Sequence, residues 1–372
     1  MSNESQHSLL VLVAHSSLLI ADMNRIVVMV VTALLGWSGS FLGQNQAVQP
    51  HARETHLRNI RQLTFGGENA EAYFSFDGKQ IIFQSTRPPY TCDQIFTMNI
   101  DGSSVKMVST GKGRTTCGYF LPDGKRIIYS STHLGSPDCP PVPNRSIGYV
   151  WPLYRTFDIF SARPDGTDLK RLTTADGYDA ENTVSPDGKK IVFTSTRDGD
   201  IELYEMNVDG TGQRRLTNAL GYDGGAFHSQ DSQWIVWRAG RPTAPEDVAR
   251  YKELLSKDLV MPTKLEIMIM RADGIEQKQL TKNGAANFAP YFHPSGRQII
   301  FASNVNNPDP RSPNFDLYLI NRDGTLLQQV TFDEGFDGFP MFTNDGKKLI
   351  WASNRQAKVE GETNVFIADW VE

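Results

Sequence analysis

From residue 57 onward the chain repeats short apolar runs, each opening directly after a polar turn. Gln80-Ile81-Ile82-Phe83, Arg126-Ile127-Ile128-Tyr129, Lys190-Ile191-Val192-Phe193 and Lys348-Leu349-Ile350-Trp351 are such runs. They are too short for helices and too apolar for loops, so they predict buried strands. The preceding turn recurs as Phe76-Asp77-Gly78-Lys79, Pro122-Asp123-Gly124-Lys125, Pro186-Asp187-Gly188-Lys189, Pro294-Ser295-Gly296-Arg297 and Asn344-Asp345-Gly346-Lys347, with a degenerate Gln230-Asp231-Ser232-Gln233. Asp-Gly supplies the positive φ angles of a type I′ hairpin, which is the turn expected here. A second Asp-Gly series, at Asp101, Asp165, Asp209, Asp273 and Asp323, closes another hairpin in each of the first five units. It joins strands expected at 94–99, 158–162, 202–207, 266–270 and 316–321 to short outer strands such as Lys170-Arg171-Leu172-Thr173. Six units of four antiparallel strands are the sequence sign of an all-β propeller.

The sixth unit has strands expected at 340–342, 348–352 and 365–369, and lacks a fourth. Ile60-Arg61-Gln62-Leu63-Thr64 has the outer-strand pattern with no blade before it. An N-terminal strand completing the last blade would close the ring and remove exposed sheet edges. The fold expected is therefore a six-bladed β-propeller of four-stranded antiparallel blades, one domain over residues 57–372. The repeat resembles that of the TolB-type (WD40-like Pro-Asp-Gly) propellers, related to the repeats in the propeller halves of prolyl oligopeptidases, and the resemblance covers all six units. Unlike in TolB itself, no separate α/β domain is expected before the propeller, so a direct part in a Tol-Pal envelope complex is not expected from the resemblance. No Gly-x-Ser-x-Gly elbow occurs, and the chain after Thr331 is too short for a hydrolase domain, so a peptidase is not expected.

A formal net charge of −5 argues against nucleic acid or an anionic membrane as partner, since both demand a basic surface. Of two apolar N-terminal stretches, 9–20 and 26–35, the second has the grammar of a leader: Met23, then Arg25, an apolar run, and small residues at Ser38, Gly39 and Ser40. The expectation is an upstream extension at 1–22, with Met23 the natural start, a signal peptide at 23–43 with an uncleaved membrane anchor as the alternative, a linker at 44–56, and a periplasmic or secreted monomer.

Successive first turns are 46, 64, 44, 64 and 50 residues apart, so the second and fourth units carry about twenty extra residues each. Both insertions fall between second and third strands, on the face opposite the Asp-Gly turns, and long loops on one side of a rigid scaffold are where binding resides. The first insertion, 134–156, is proline-rich and carries Tyr149, Trp151 and Tyr154, suited to stacking on a sugar or peptide. The second is expected to be helical over 245–259, with Thr243 and Glu246 as a capping box and Val248, Tyr251, Leu255 and Leu259 covering the fourth unit.

Before each inner strand the aligned positions are Asn69, Thr115, Asp179, Asp223, Asn287 and Asp337, with Glu71 and Glu181 two residues on. They predict either turn-fixing hydrogen bonds to backbone or a carboxylate ring at the channel mouth, where Asp179, Asp223 and Asp337 would hold calcium. Arg87, Arg197 and Arg355 recur after second strands, and Asp158, Glu202, Glu266 and Asp316 at the start of third strands, which implies hydrogen bonds or ion pairs repeated in each blade. Cys92, Cys117 and Cys139 are expected to give one disulfide and one free thiol, the pairing open; with His133 they also suggest a zinc site, although no Cys-x-x-Cys spacing is present. His228 and His293, near the far ends of inner strands, are expected to be solvated or hydrogen-bonded. The function expected is a non-catalytic scaffold that binds a protein, peptide or glycan through the loop-bearing face. The alternative is a metal-assisted carbohydrate-active propeller enzyme such as a polysaccharide lyase.

Overall fold

Residues 46–307 and 314–372 are described by the structure, a computed structural model. The expected leader and upstream extension lie outside them. Among the described residues the chain forms six antiparallel blade sheets in chain order and a seventh, two-stranded sheet. The first blade has strands Glu68–Phe74, Gln80–Thr86, Gln94–Asn99 and Lys106–Met107, innermost to outermost. The next four repeat that order, with inner strands Thr115–Phe120, Asp179–Val184, Tyr222–His228 and Asn287–Phe292. The apolar second strands are buried on both faces because each sheet packs between two neighbours. Ile81, Ile82, Phe83, Phe193, Phe301 and Trp351 are all fully buried.

The last blade is completed by the N-terminal strand, as the repeat count requires: Leu57–Gln62 pairs antiparallel with Asn364–Trp370. The stretch expected as a linker does more than connect. Gln46–Val48 adds a fifth strand to this sheet, and Glu54, fully buried, pairs with Arg355 at 3.0 Å.

The turns differ from expectation. Gly78 has φ +69°, but Asp77 does not share the left-handed region, so the hairpin is not type I′. Ser75 N–H donates to Gln80 O at 2.8 Å across a four-residue loop, and the Asp77 carboxylate accepts from Ser75 Oγ and Lys79 N. The Asp therefore acts through its side chain and only the Gly through its backbone. The same bonds recur at Asp187 and Asp345, and Ser232 takes the left-handed position in the degenerate copy.

The two insertions meet. Trp151–Pro152 and Leu259–Val260 form a two-stranded sheet, and their apolar side chains share a cluster with Tyr178, Ile201 and Tyr222. The helix spans Pro245–Leu255 rather than reaching 259, its N-cap is Ala244, and no side chain caps it, so the expected Thr243–Glu246 capping box does not form. Its Tyr251 and Leu255 pack on that same cluster, and Tyr251 donates to Asp200 of the third blade. The roof thus spans the third and fourth blades together. Among the described residues no helix is long and apolar enough to cross a membrane.

Candidate functional site

Every inner strand carries a bulge at the same place, where pairing with the second strand shifts register. The bulged residue is left-handed in all six blades: Glu71, Cys117, Glu181, Gly225, Ala289 and Phe339, with φ between 49° and 60°. A bulge redirects its side chain out of the pleat. Except for Gly225, which has none, these side chains line the mouth of the axial channel on the insertion-bearing face. Two residues further along, Tyr73, Tyr119, Phe227 and Tyr291 fill the channel beneath, with neighbouring rings 5.3–6.2 Å apart. Only ≈ 20 Å³ of free space remains at this floor, room for a water or one terminal group. The site is a closed funnel.

Its walls are unlike. On one side Glu181 accepts from Arg238 at 2.8 Å, Tyr222 OH at 2.8 Å, Thr194 Oγ1 at 2.8 Å and Gly225 N at 2.7 Å. The Arg238 guanidinium crosses above Gly225, where a Cβ would collide with it. It lies 5.0 Å from the Trp151 ring and 5.5 Å from Tyr222. Burial opposes its charge, but Glu181 and Tyr222 hold its pKa above the ordinary value. On the other side Phe339, Phe336 and Phe288 form an aromatic wall, with Phe339 5.5 Å from Phe288.

Among the described residues Glu71 is the carboxyl of the mouth with no ion pair within 4 Å, although the Arg238 charge still acts on it. It accepts from Cys117 N at 3.1 Å, and burial pushes its pKa up to about 7. The Cys117 thiol beside it is raised well above its ordinary value, by burial first and by Glu71 next.

The residues expected at the mouth divide into two groups. Glu181 is there. Asp179, Asp223 and Asp337 lie behind it, buried, each taken by an arginine: Asp179 by Arg197 at 2.8 Å, Asp223 by Arg241 at 2.6 Å and Asp337 by Arg355 at 2.8 Å. Trp237 and Trp351 donate their indole N–H to Asp223 and Asp337. Arg87 plays the same part toward Asn69 at 2.6 Å, and Arg87, Arg197 and Arg355 each also bond a serine two residues before them, at or next to the end of the second strand. This is a blade-stabilising unit repeated around the ring. Third-strand acids are tied likewise to the threonine after the outer strand, as Glu202 is to Thr217 and Asp316 to Thr331.

Tyr149 is 60% exposed on the roof and receives a hydrogen bond from Trp151 Nε1 at 3.1 Å. Tyr154 OH donates to Pro141 O at 2.8 Å and so braces the loop. Cys92 and Cys139 form the disulfide, which pins the proline-rich loop to the first blade, and Cys117 is the free thiol. Two of the three cysteines are therefore no thiolates, which removes the zinc set with His133. His133 instead packs 4.5 Å from Phe160 and bonds Ser131. His228 and His293 are buried, not solvated; burial lowers the His228 pKa to about 4, and His293 bonds Ser295. Among the described residues no group of three or more His, Cys, Asp or Glu side chains is placed to hold a metal ion.

Sequence reasoning missed Arg238 and Tyr222. It set Glu71 with Glu181 among the residues of the mouth, but named Cys117 only as a candidate for the disulfide, the free thiol or a zinc site. The one available signal was the fixed offset of two residues from Asn69, Thr115, Asp179, Asp223, Asn287 and Asp337.

No protein-family model matches the chain. It is 27% identical over 153 residues to a TolB homolog of Chlorobium luteolum, covering 35% of each chain. It is 23% identical over 299 residues to dipeptidyl-peptidase 5 of Porphyromonas endodontalis, covering 77% of this chain and 37% of that one. The chain thus spans little more than a third of the length of these curated relatives. Among solved structures, TolB of Agrobacterium tumefaciens superposes with TM-score 0.55 at 19% identity, over 82% of this chain and 91% of that one. An oligogalacturonate lyase in complex with manganese superposes with TM-score 0.51 at 11% identity, over 88% and 96%. These likenesses between structures concern the fold.

Proposed function

We propose that this chain, a β-propeller of the TolB type, is an exported, periplasmic or secreted binding protein that docks a segment of a protein partner on its top face, across the mouth of the funnel. The observation that carries this reading is the Trp151–Arg238–Glu181 stack, built by three different blades and roofed by both insertions. A charged wall facing a phenylalanine wall suits an extended peptide, which offers backbone amides and charged groups to one side and apolar side chains to the other. A glycan would use the aromatic roof but leave the charged pair unused. No cofactor enters this reading, because Asp179, Asp223 and Asp337 face arginines rather than a common point.

The test is retention of partners from an envelope extract on the immobilised protein, run beside a glycan array. The double variant Tyr149→Ala/Trp151→Ala should weaken retention by at least about tenfold, the loss of one to two kcal/mol of aromatic contact. Unchanged retention by that variant would overturn the assignment of the funnel.

A second reading, a metal-assisted carbohydrate-active enzyme, draws on Glu71, a carboxyl holding its proton up to about pH 7 in the mouth. The described residues supply no ligand set for the manganese of the lyase likeness, and no step through a metal is derived. Turnover of acidic oligosaccharides that disappears in Glu71→Gln would favour this reading over simple binding.

A further inference from the structure

The Asp-Gly turns occupy the face opposite the funnel, and there the seam between the first and last blades stands open as a cleft of ≈ 580 Å³. That volume falls within the ~300–1,000 Å³ of small-molecule sites. The equivalent place between the fourth and fifth blades is closed. There Arg322, the residue after the third strand of the fifth blade, lays its guanidinium 3.9 Å from the ring of Trp234, which begins the second strand of the fourth. The corresponding residues at the open seam are Ile100 and Lys348. Ile100 is too short to cross, and Lys348 turns to Asp369 at 2.5 Å within its own blade.

The lining combines two kinds of group. Trp370 and Phe76 give aromatic surface, and Trp370 Nε1 is a buried donor with no hydrogen-bond partner among the described residues. Asp77 and Asp345 each spend Oδ1 on their own turn and keep Oδ2 toward an exposed lysine at 3.4 and 3.9 Å. Carboxylates and lysines nearly balance, so neither a polyanion nor a cation is favoured. Rings for the apolar face of a pyranose, with carboxylates and ammonium groups for vicinal hydroxyls, are the means by which a neutral sugar is held.

We propose that this seam cleft binds a neutral disaccharide unit, bridging the first and sixth blades. Because both blades contribute, the ligand binds only the closed ring and therefore stabilises it against unfolding. The site is separate from the funnel, so either proposal can fail alone.

The test is calorimetric titration and thermal melting with maltose, cellobiose and N,N′-diacetylchitobiose, with inorganic phosphate and glycylglycine as controls. At least one disaccharide should bind saturably and raise the melting temperature. Ile100→Arg, which puts a long side chain into the cleft, should weaken it at least about tenfold. Trp370→Phe, which removes the Nε1 donor and part of the ring area but keeps an aromatic ring, should weaken it less, and Tyr149→Ala/Trp151→Ala not at all. Absence of saturable binding by all three sugars, binding of phosphate alone, or undiminished binding by a folded Ile100→Arg variant would overturn the proposal.

Discussion

Arg238 holds its guanidinium 5.0 Å from the ring of Trp151 while bonding Glu181 at 2.8 Å, so a fourth-blade cation joins the second-blade insertion to the third-blade bulge. Neither end of that stack is exposed enough for water to replace the lost partner, and this sets the first expectation. Arg238→Met should cost about 3–5 kcal/mol, because it leaves the Glu181 charge buried and unpaired. Adding Glu181→Gln should recover much of the loss. Urea denaturation of the two single variants and the double variant measures both, and additive losses would show that the two residues do not act as a pair.

Ring closure predicts a second cost. Glu54 pairs with Arg355, which also holds Asp337, and all three are buried although Glu54 and Arg355 are 301 residues apart. Glu54→Ala should destabilise by about 3 kcal/mol or more. Hydrogen exchange should then rise first in Leu57–Gln62, the strand that closes the last blade. Protection unchanged there would mean that Glu54 does not secure the closure.

The disulfide Cys92–Cys139 closes 47 residues of chain. Chain entropy alone assigns it about 4 kcal/mol, so Cys92→Ser/Cys139→Ser should lower the melting temperature markedly. Cys117, buried and with its thiol pushed up, should stay inert to thiol reagents until the protein unfolds.

Burial raises Glu71 from 4.5 to about 7 and Asp316 from 3.8 to about 7. Both folded values exceed the unfolded ones, so the native state binds more protons in between. Their contribution is full below about pH 4, falls as pH rises through the interval to about 7, and is flat above it. Glu71→Gln should flatten part of that slope. Because His228, lowered to about 4, adds an opposing slope over the same interval, the difference between wild type and variant is the readout, and an identical slope in the two would contradict the raised Glu71 value.

Calcium and a chelator should leave the melting temperature alike, since Asp179, Asp223 and Asp337 each face an arginine instead of one another. A rise with calcium would place a cation site that these pairings do not contain.

The fold was legible because it rests on local signals. Asp-Gly turns, apolar second strands such as Ile191-Val192-Phe193 and the orphan strand before the first blade mark blade count and closure in the chain itself. The funnel was legible only in part. Bulge residues as different as Glu71, Cys117, Ala289 and Phe339 share a backbone conformation that none of them favours, so composition gives no hint of it. The aspartates two residues earlier drew notice through their regularity, yet that regularity belongs to the arginine contacts within each blade. The pairing of Trp151–Pro152 with Leu259–Val260 is a contact between two-residue strands far apart in sequence, and nothing local announces it.

Photo-crosslinking in whole cells tests the binding face most directly. With p-benzoylphenylalanine in place of Tyr149 on the roof, the protein should give a discrete partner adduct, and with the same group in place of Lys125 on the turn face it should give none. Adducts from the Lys125 position alone, or from neither position, would contradict a working face built around the funnel.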